Sequence, residues 1–166
     1  MNADAPEKFD FQARRVARFA AVQALYQMEL SGADVETVLH EFLDFRFGRE
    51  TEEYRDPDQE FFADLVRGVP HHQVEIDRAV AKSLAEGWRL SRVDSILRAI
   101  LRLATYELVA RRDVPAKVVI VEYLEISHAF FDRDEPAFIN ATIDKIAHRK
   151  RAPEFGEKTP DDELQF

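Results

Sequence analysis

The stretch from Ser91 to Arg112, reading SRVDSILRAILRLATYELVARR, constrains the fold more than any other part of this chain. Val93, Ile96, Leu97, Ile100, Ala104 and Leu108 recur at three- and four-residue steps, the spacing of one helical face. Leu101 and Leu103 widen that stripe, so a central helix packed on more than one side is expected. Its ends are marked as well. Ser91 and Asp94 have the spacing of a capping box, in which each side chain satisfies a backbone N–H of the first turn. Arg111 and Arg112 put positive charge where the helix dipole favours it, and Pro115 prevents continuation.

Helical periodicity recurs along the rest of the chain. The first strong helix is expected from about Phe11 to Leu30, with Ala17, Ala20, Ala21, Ala24 and Met28 forming a stripe that admits a close neighbour. Gly32 ends it, and Asp34 can cap a second helix from Val35 to about Phe47. Asp56, Pro57 and Gln59 fit the N-cap, N1 and N3 positions of a third. Its apolar period runs through Phe61, Leu65 and Val69, and on through Ile76, Val80, Leu84 and Trp88. Pro70 falls inside that pattern without loop residues around it, which predicts one long helix bent near Val69–His71. Two more helices follow, over 116–131 and from the loop Asp132–Pro136 to about Arg151. No strand-like alternation and no repeat is present. The fold class is all-α, with six or seven helices in one body spanning 11–151. Residues 1–10 read as a flexible N-terminus and 152–166 as an acidic, disordered tail.

Charge sharpens the functional question. The 166 residues carry 23 Lys and Arg against 32 Asp and Glu, a net charge of −9. A globally acidic protein is a poor non-specific nucleic-acid binder. The excess acid lies in two places, Glu50–Glu60 and the tail from Pro153; without them the body holds 21 bases and 21 acids. Basic clusters on that neutral body therefore stand out. Arg14, Arg15 and Arg18 share one arc of the first helix, at the end where the dipole disfavours cations. They read either as a solvated face or as a set placed there for a ligand.

Catalytic signatures are missing. There is no cysteine, no Gly-x-Ser-x-Gly elbow, no phosphate-binding glycine loop and no dinucleotide fingerprint. His71 and His72 are adjacent and diverge on a helix, a poor metal pair. Neither an enzyme, a cofactor nor a metal is expected. The absence of an apolar run of about 18 residues or of a signal-like N-terminus argues against a membrane span or secretion, and with no cysteine a cytoplasmic protein is expected. Phe138 is a further candidate, because Ile139 and Ile143 already supply the inward face of its helix. An exposed ring beside arginines suits single-stranded RNA, with stacking on a base and cations on phosphates. Packing of Phe138 against the first helix is the alternative.

Six motifs, in order, resemble the NusB transcription antitermination family over about residues 13–149. Ala13–Arg18 followed by Val22–Tyr26 is similar to its arginine-rich opening helix. Phe62–Val69, Ile76-Asp77 and Trp88 are similar to its middle section. Ile100–Arg102 with Tyr106–Leu108, Asp113–Pro115 and the helix bearing Glu122 and Glu125 continue the match. Phe138–Lys145 resembles the family's Phe-Val-Asn-Gly…Leu-Asp signature, with Ala141 in place of the Gly. The resemblance implies two packed three-helix subdomains and binding of the short single-stranded boxA element of nascent RNA. It implies a heterodimer with the small-subunit ribosomal protein that acts as NusE, on elongating RNA polymerase with other Nus factors. Carried over by residue, the RNA contacts are Arg14, Arg15, Arg18, Asp134, Phe138 and Asn140, and the partner-facing candidates are Tyr26 and Glu29. Monomer and homodimer are both open. Two other readings compete: a purely protein-binding helical adaptor, and the NusB-like domain of an RNA cytosine methyltransferase without its catalytic part.

Overall fold

The computed structural model describes residues 11–47 and 54–163. The expected flexible N-terminus and positions 50–53 of the acidic loop lie outside the described residues. Among the described residues there are seven α-helices and no strand: α1 Phe11–Ser31, α2 Val35–Glu41, α3 Gln59–His71, α4 Gln73–Ser83, α5 Ser95–Ala110, α6 Ala116–Phe130 and α7 Glu135–Lys150. One π turn, Phe42–Arg46, extends α2. α1, α2 and α3 pack on one another, as do α5, α6 and α7, and α4 bridges the two groups through α3, α5 and α7. α5 touches α1, α3, α4, α6 and α7. Leu101, Leu103, Ile100 and Leu108 are all fully buried, because their arc is covered from several sides at once. Ala17, Ala20, Ala21 and Ala24 are equally buried, and their small side chains let α1 lie close against α3 and α5.

Helix ends depart from the sequence reading for local physical reasons. Asp94 alone caps α5, accepting from the N–H groups of Ile96 and Leu97 at 2.8 and 3.3 Å, while Ser91 falls in a short 3-10 turn. Asp58, not Asp56, caps α3, accepting from the Phe61 N–H at 3.0 Å. Asp56 instead takes a left-handed conformation, φ 48°, and turns the chain into that cap. Asp34 caps α2 through the Thr37 N–H at 2.8 Å. The expected single bent helix through Pro70 is two helices broken by one residue, His72. Pro70 offers no N–H to the Val66 carbonyl, so its turn ends α3. Bonding resumes at once, since the His72 carbonyl accepts from Ile76 N–H at 2.9 Å. The period does not carry on through Trp88: α4 stops at Ser83, Gly87 takes φ 89°, and Trp88 is 55% exposed.

The tail also differs from expectation. Residues 152–163 lie back on α7 and α4, with 3-10 turns at Ala152–Phe155 and Asp161–Glu163. Arg151, 2% exposed, anchors that return. Its guanidinium donates to the carbonyls of Leu108, Glu107 and Arg111 at the end of α5, the last two of which also accept the N–H groups of Arg111 and Val114.

A charged pair enters the core between α1 and α5. The Arg18 guanidinium makes two parallel bonds of 2.9 Å to the Glu107 carboxylate, and the Tyr123 hydroxyl donates to the same carboxylate. Arg18 and Glu107 side chains are 3% and 0% exposed. Burial works against the Arg18 charge, but the bonds to Glu107 more than offset it and raise its pKa. Burial, then the Glu107 charge, pushes the Tyr123 hydroxyl well above its usual value, so it remains a donor.

Two predictions follow from this packing. Arg18→Met leaves Glu107 buried without its partner and should cost about 3–5 kcal/mol, read from denaturant midpoints. The double variant Arg18→Met/Glu107→Leu should recover part of that loss, and equal stability of wild type and Arg18→Met would refute a structural role for the pair. Separately, a methyl group added at Gly68 would overlap the Tyr106 ring. Gly68→Ala should therefore destabilise by about 1–3 kcal/mol, and an unchanged melting temperature would contradict the close approach.

Candidate nucleic-acid interface

The three arginines of α1 start from one helical arc but reach three environments. Arg14 lies 3.5 Å from both Asp58 and Asp113, with its guanidinium 4.5 Å from the centre of the Phe61 ring; its side chain is 14% exposed. Arg15 holds Glu122 through two bonds of 3.0 Å yet remains 49% exposed. Those bonds, with the Glu122 charge, raise its pKa. Arg18 is in the core. Expected with the others on an RNA face, it is instead enclosed: the side chain is 3% exposed, its Nε–Nη2 edge is held by Glu107, and its Nη1 lies 4.0 Å from Glu122. The carboxylates that hold these cations come from α5, α6 and the segments before α3 and α6, which single-helix spacing does not reveal. Asp113 is drawn down to about 2, first by hydrogen bonds from Arg111.

α1 and α6 run parallel, with Arg15 opposite Glu122 and Phe19 stacked on Phe130 at 5.2 Å. Between them lies a groove lined by Gln12, Arg15, Val16 and Phe19 on one wall and by Glu125, Ile126 and Ala129 on the other. From Glu122 to Phe130 α6 rises about 12 Å, so the groove leads from Arg15 toward the α6–α7 corner.

That corner carries the other candidates. Asp134 is exposed at the N-cap position of α7, without a side-chain capping bond. Asn140 is half-buried. Phe138 is half-buried too, and its ring lies 5.0 Å from the indole of Trp88, inclined by 42°. Trp88 was assigned to the core by its apolar period, and only Gly87, a helix-stopping residue directly before it, signals otherwise. The two sets stand at opposite ends of α5. Arg18 meets α5 near its C-terminus at Glu107, and so does the C-terminal end of α7 through Arg151, which leaves Phe138 at the far end. Tyr26, half-buried, and Glu29, paired with Arg98, also lie toward the N-terminal end of α5. The candidates are spread toward the two ends of α5 rather than gathered in a compact site, and Phe138 and Asn140, two residues apart on α7, project about 160° apart around that helix. Among the described residues no group of three His, Cys, Asp or Glu side chains could hold a metal, and no helix is long and apolar enough to cross a membrane.

Comparison with known proteins agrees with this architecture. The family model described as the NusB family matches residues 15–148. The transcription antitermination protein NusB of Caulobacter vibrioides is 53% identical over 142 residues, covering 84% of this chain and 95% of that protein. Its counterpart from Maricaulis maris is 47% identical over 154 residues, covering 92% and 96%. Among solved structures, NusB of T. maritima superposes with a TM-score of 0.70 at 31% identity, covering 92% of this chain and 97% of that one. A solved complex of antitermination factors NusB and NusE with double-stranded RNA shares the fold, at TM-score 0.69 and 22% identity, over 82% and 97% of the two chains. The chain belongs to the NusB family.

Proposed function

We propose that this protein is a cytoplasmic transcription antitermination factor that binds boxA-type single-stranded RNA in nascent transcripts, notably those of ribosomal RNA operons. It acts as a heterodimer with the small-subunit ribosomal protein that serves as NusE, within the elongating RNA polymerase complex. The observation that carries this reading is the 53% identity to an antitermination protein across 95% of that protein's length. The layout of the candidates supports it: Arg15 lines the α1–α6 groove toward one end of α5, Phe138 and Asn140 lie toward the other, and Trp88 beside Phe138 offers a second ring. Arg14, largely covered, contributes charge to one end, and Asp134 flanks the other. Arg18 contributes by holding α1 in place. Tyr26 and Glu29 remain the partner-facing candidates on the same helix.

A protein-only adaptor is the second reading, and one feature favours it: each of the three α1 arginines already has a carboxylate partner. A salt titration separates the two. If Arg15 meets a phosphate, Arg15→Ala should flatten the plot of log affinity against log salt by about 0.7 and weaken boxA and scrambled RNA alike. Phe138→Ala removes a stacking ring and should cost ~1–3 kcal/mol of binding with little change in slope. Both variants should retain the ribosomal-protein partner. Binding of the partner without detectable RNA affinity, in wild type and in the complex, would establish the adaptor instead.

A further inference from the structure

The acidic tail covers a basic surface that the proposed function leaves unused. At 100° per residue Lys145 and Arg149 fall within about 20° of Phe138 on α7, so one stripe leads from the aromatic pair down the helix for roughly 16 Å. Lys82 of α4 faces that stripe across a cleft whose lining includes Lys145, His148 and Arg149. The Ser83 hydroxyl, in a side chain 4% exposed, belongs to the same lining and has no hydrogen-bond partner among the described residues. Trp88, five positions beyond Ser83, continues the α4 side toward Phe138. The cleft therefore lies on the same side of α7 as the stacking corner and carries cations where a strand leaving that corner along α7 would place its phosphates.

Tail carboxylates sit on those cations. Asp162 lies 2.6 Å from Arg149 and 3.6 Å from Lys82. Glu163 bonds Arg149 at 2.7 Å and also Lys150, with its own side chain 3% exposed. Glu157 bonds His148, whose ring stacks on Phe155. Burial disfavours the Glu163 charge, but the bonds from Lys150 and Arg149 more than offset this and lower its pKa, so at neutral pH it is an anion.

We propose that the segment Glu157–Glu163 is an intramolecular competitor, its carboxylates occupying a phosphate-binding cleft between α4 and α7 that extends the RNA path from Trp88 and Phe138. The proposal rests on the RNA-binding reading. RNA is favoured over an acidic polypeptide because the α7 stripe that lines the cleft leads to an aromatic pair suited to bases, which a run of carboxylates would leave unused. With the tail in place the protein binds RNA through the corner and the α1–α6 groove alone, and displacement of the tail adds the cleft.

The test uses the full chain with Glu157→Gln, Asp162→Asn and Glu163→Gln combined, titrated with single-stranded RNA at several salt concentrations. Each freed cation that meets a phosphate steepens the slope by about 0.7, so two contacts raise the ratio of affinities at 50 and 200 mM salt roughly sevenfold. Adding Lys82→Ala and Arg149→Ala to the triple variant should abolish the gain, whereas the same two changes in the native chain should leave RNA affinity nearly unchanged. A folded triple variant with native RNA affinity and slope, in a chain whose binding still depends on Phe138, would overturn the proposal and leave the tail a stabilising clamp. A gain for poly-glutamate without a gain for RNA would overturn the choice of ligand. Absence of RNA binding in both native and triple-variant chains would instead remove the RNA-binding reading, and this proposal with it.

Discussion

The buried pair between Arg18 and Glu107 is the constraint on which the rest of the structure depends. Two charges taken out of water impose a desolvation cost that only close, well-aligned bonds offset. The pair meets that condition with two 2.9 Å contacts and a third donor from Tyr123, which ties α1, α5 and α6 at one point. Beside it Phe61 is ringed by the guanidinium groups of Arg14, Arg18 and Arg111, at 4.5, 5.0 and 5.0 Å from the ring centre. Rotation of α1 about its axis would break the bidentate geometry and strand several cations against an apolar surface. The alanine stripe allows α1 to approach, and the ion pair fixes its rotation. That rotation decides that Arg15 faces the α1–α6 groove and Arg18 does not.

What the sequence made legible was local. The α5 period, the alanine stripe of α1 and the Asp34 cap each depend on residues within a few positions, and each stands in the structure. The arginines show where such reading stops. Spacing placed Arg14, Arg15 and Arg18 on one arc, but their partners Asp113, Glu122 and Glu107 lie 99, 107 and 89 residues away. No helical pattern encodes those pairings. Caps slipped for a different reason: Asp56 and Asp58, or Ser91 and Asp94, are chemically equivalent candidates within a few residues. Which one caps is settled by where the chain must turn. Trp88 was misplaced because an apolar residue in phase with a helix looks the same whether the helix has ended or not.

Charge in this chain is arranged mainly as internal counterions. A net charge of −9 suggests repulsion between protein and nucleic acid, yet much of the acid is committed to guanidinium groups of the same fold. An exposed ion pair contributes little stability, so such a surface can exchange a carboxylate for a phosphate at small cost. The buried pair cannot make that exchange. Burial thus sorts the arginines: Arg18 serves the fold, while Arg15, half exposed and held by a single carboxylate, can serve a ligand.

The same sorting applies to the tail and explains why its acidity belongs to the fold as well as to the solvent. Asp162 is exposed and shared between Arg149 and Lys82, a pairing that salt or a competing anion weakens. Glu163 is nearly enclosed between Arg149 and Lys150, so its release requires rehydrating those cations together. Arg151, locked to the end of α5, holds the base of the segment and survives any loss of these outer contacts. The tail is consequently fixed at its root and held electrostatically farther out. A segment built this way can leave its cleft without unfolding the domain, because the contacts that define α5 and α7 lie on the near side of the anchor.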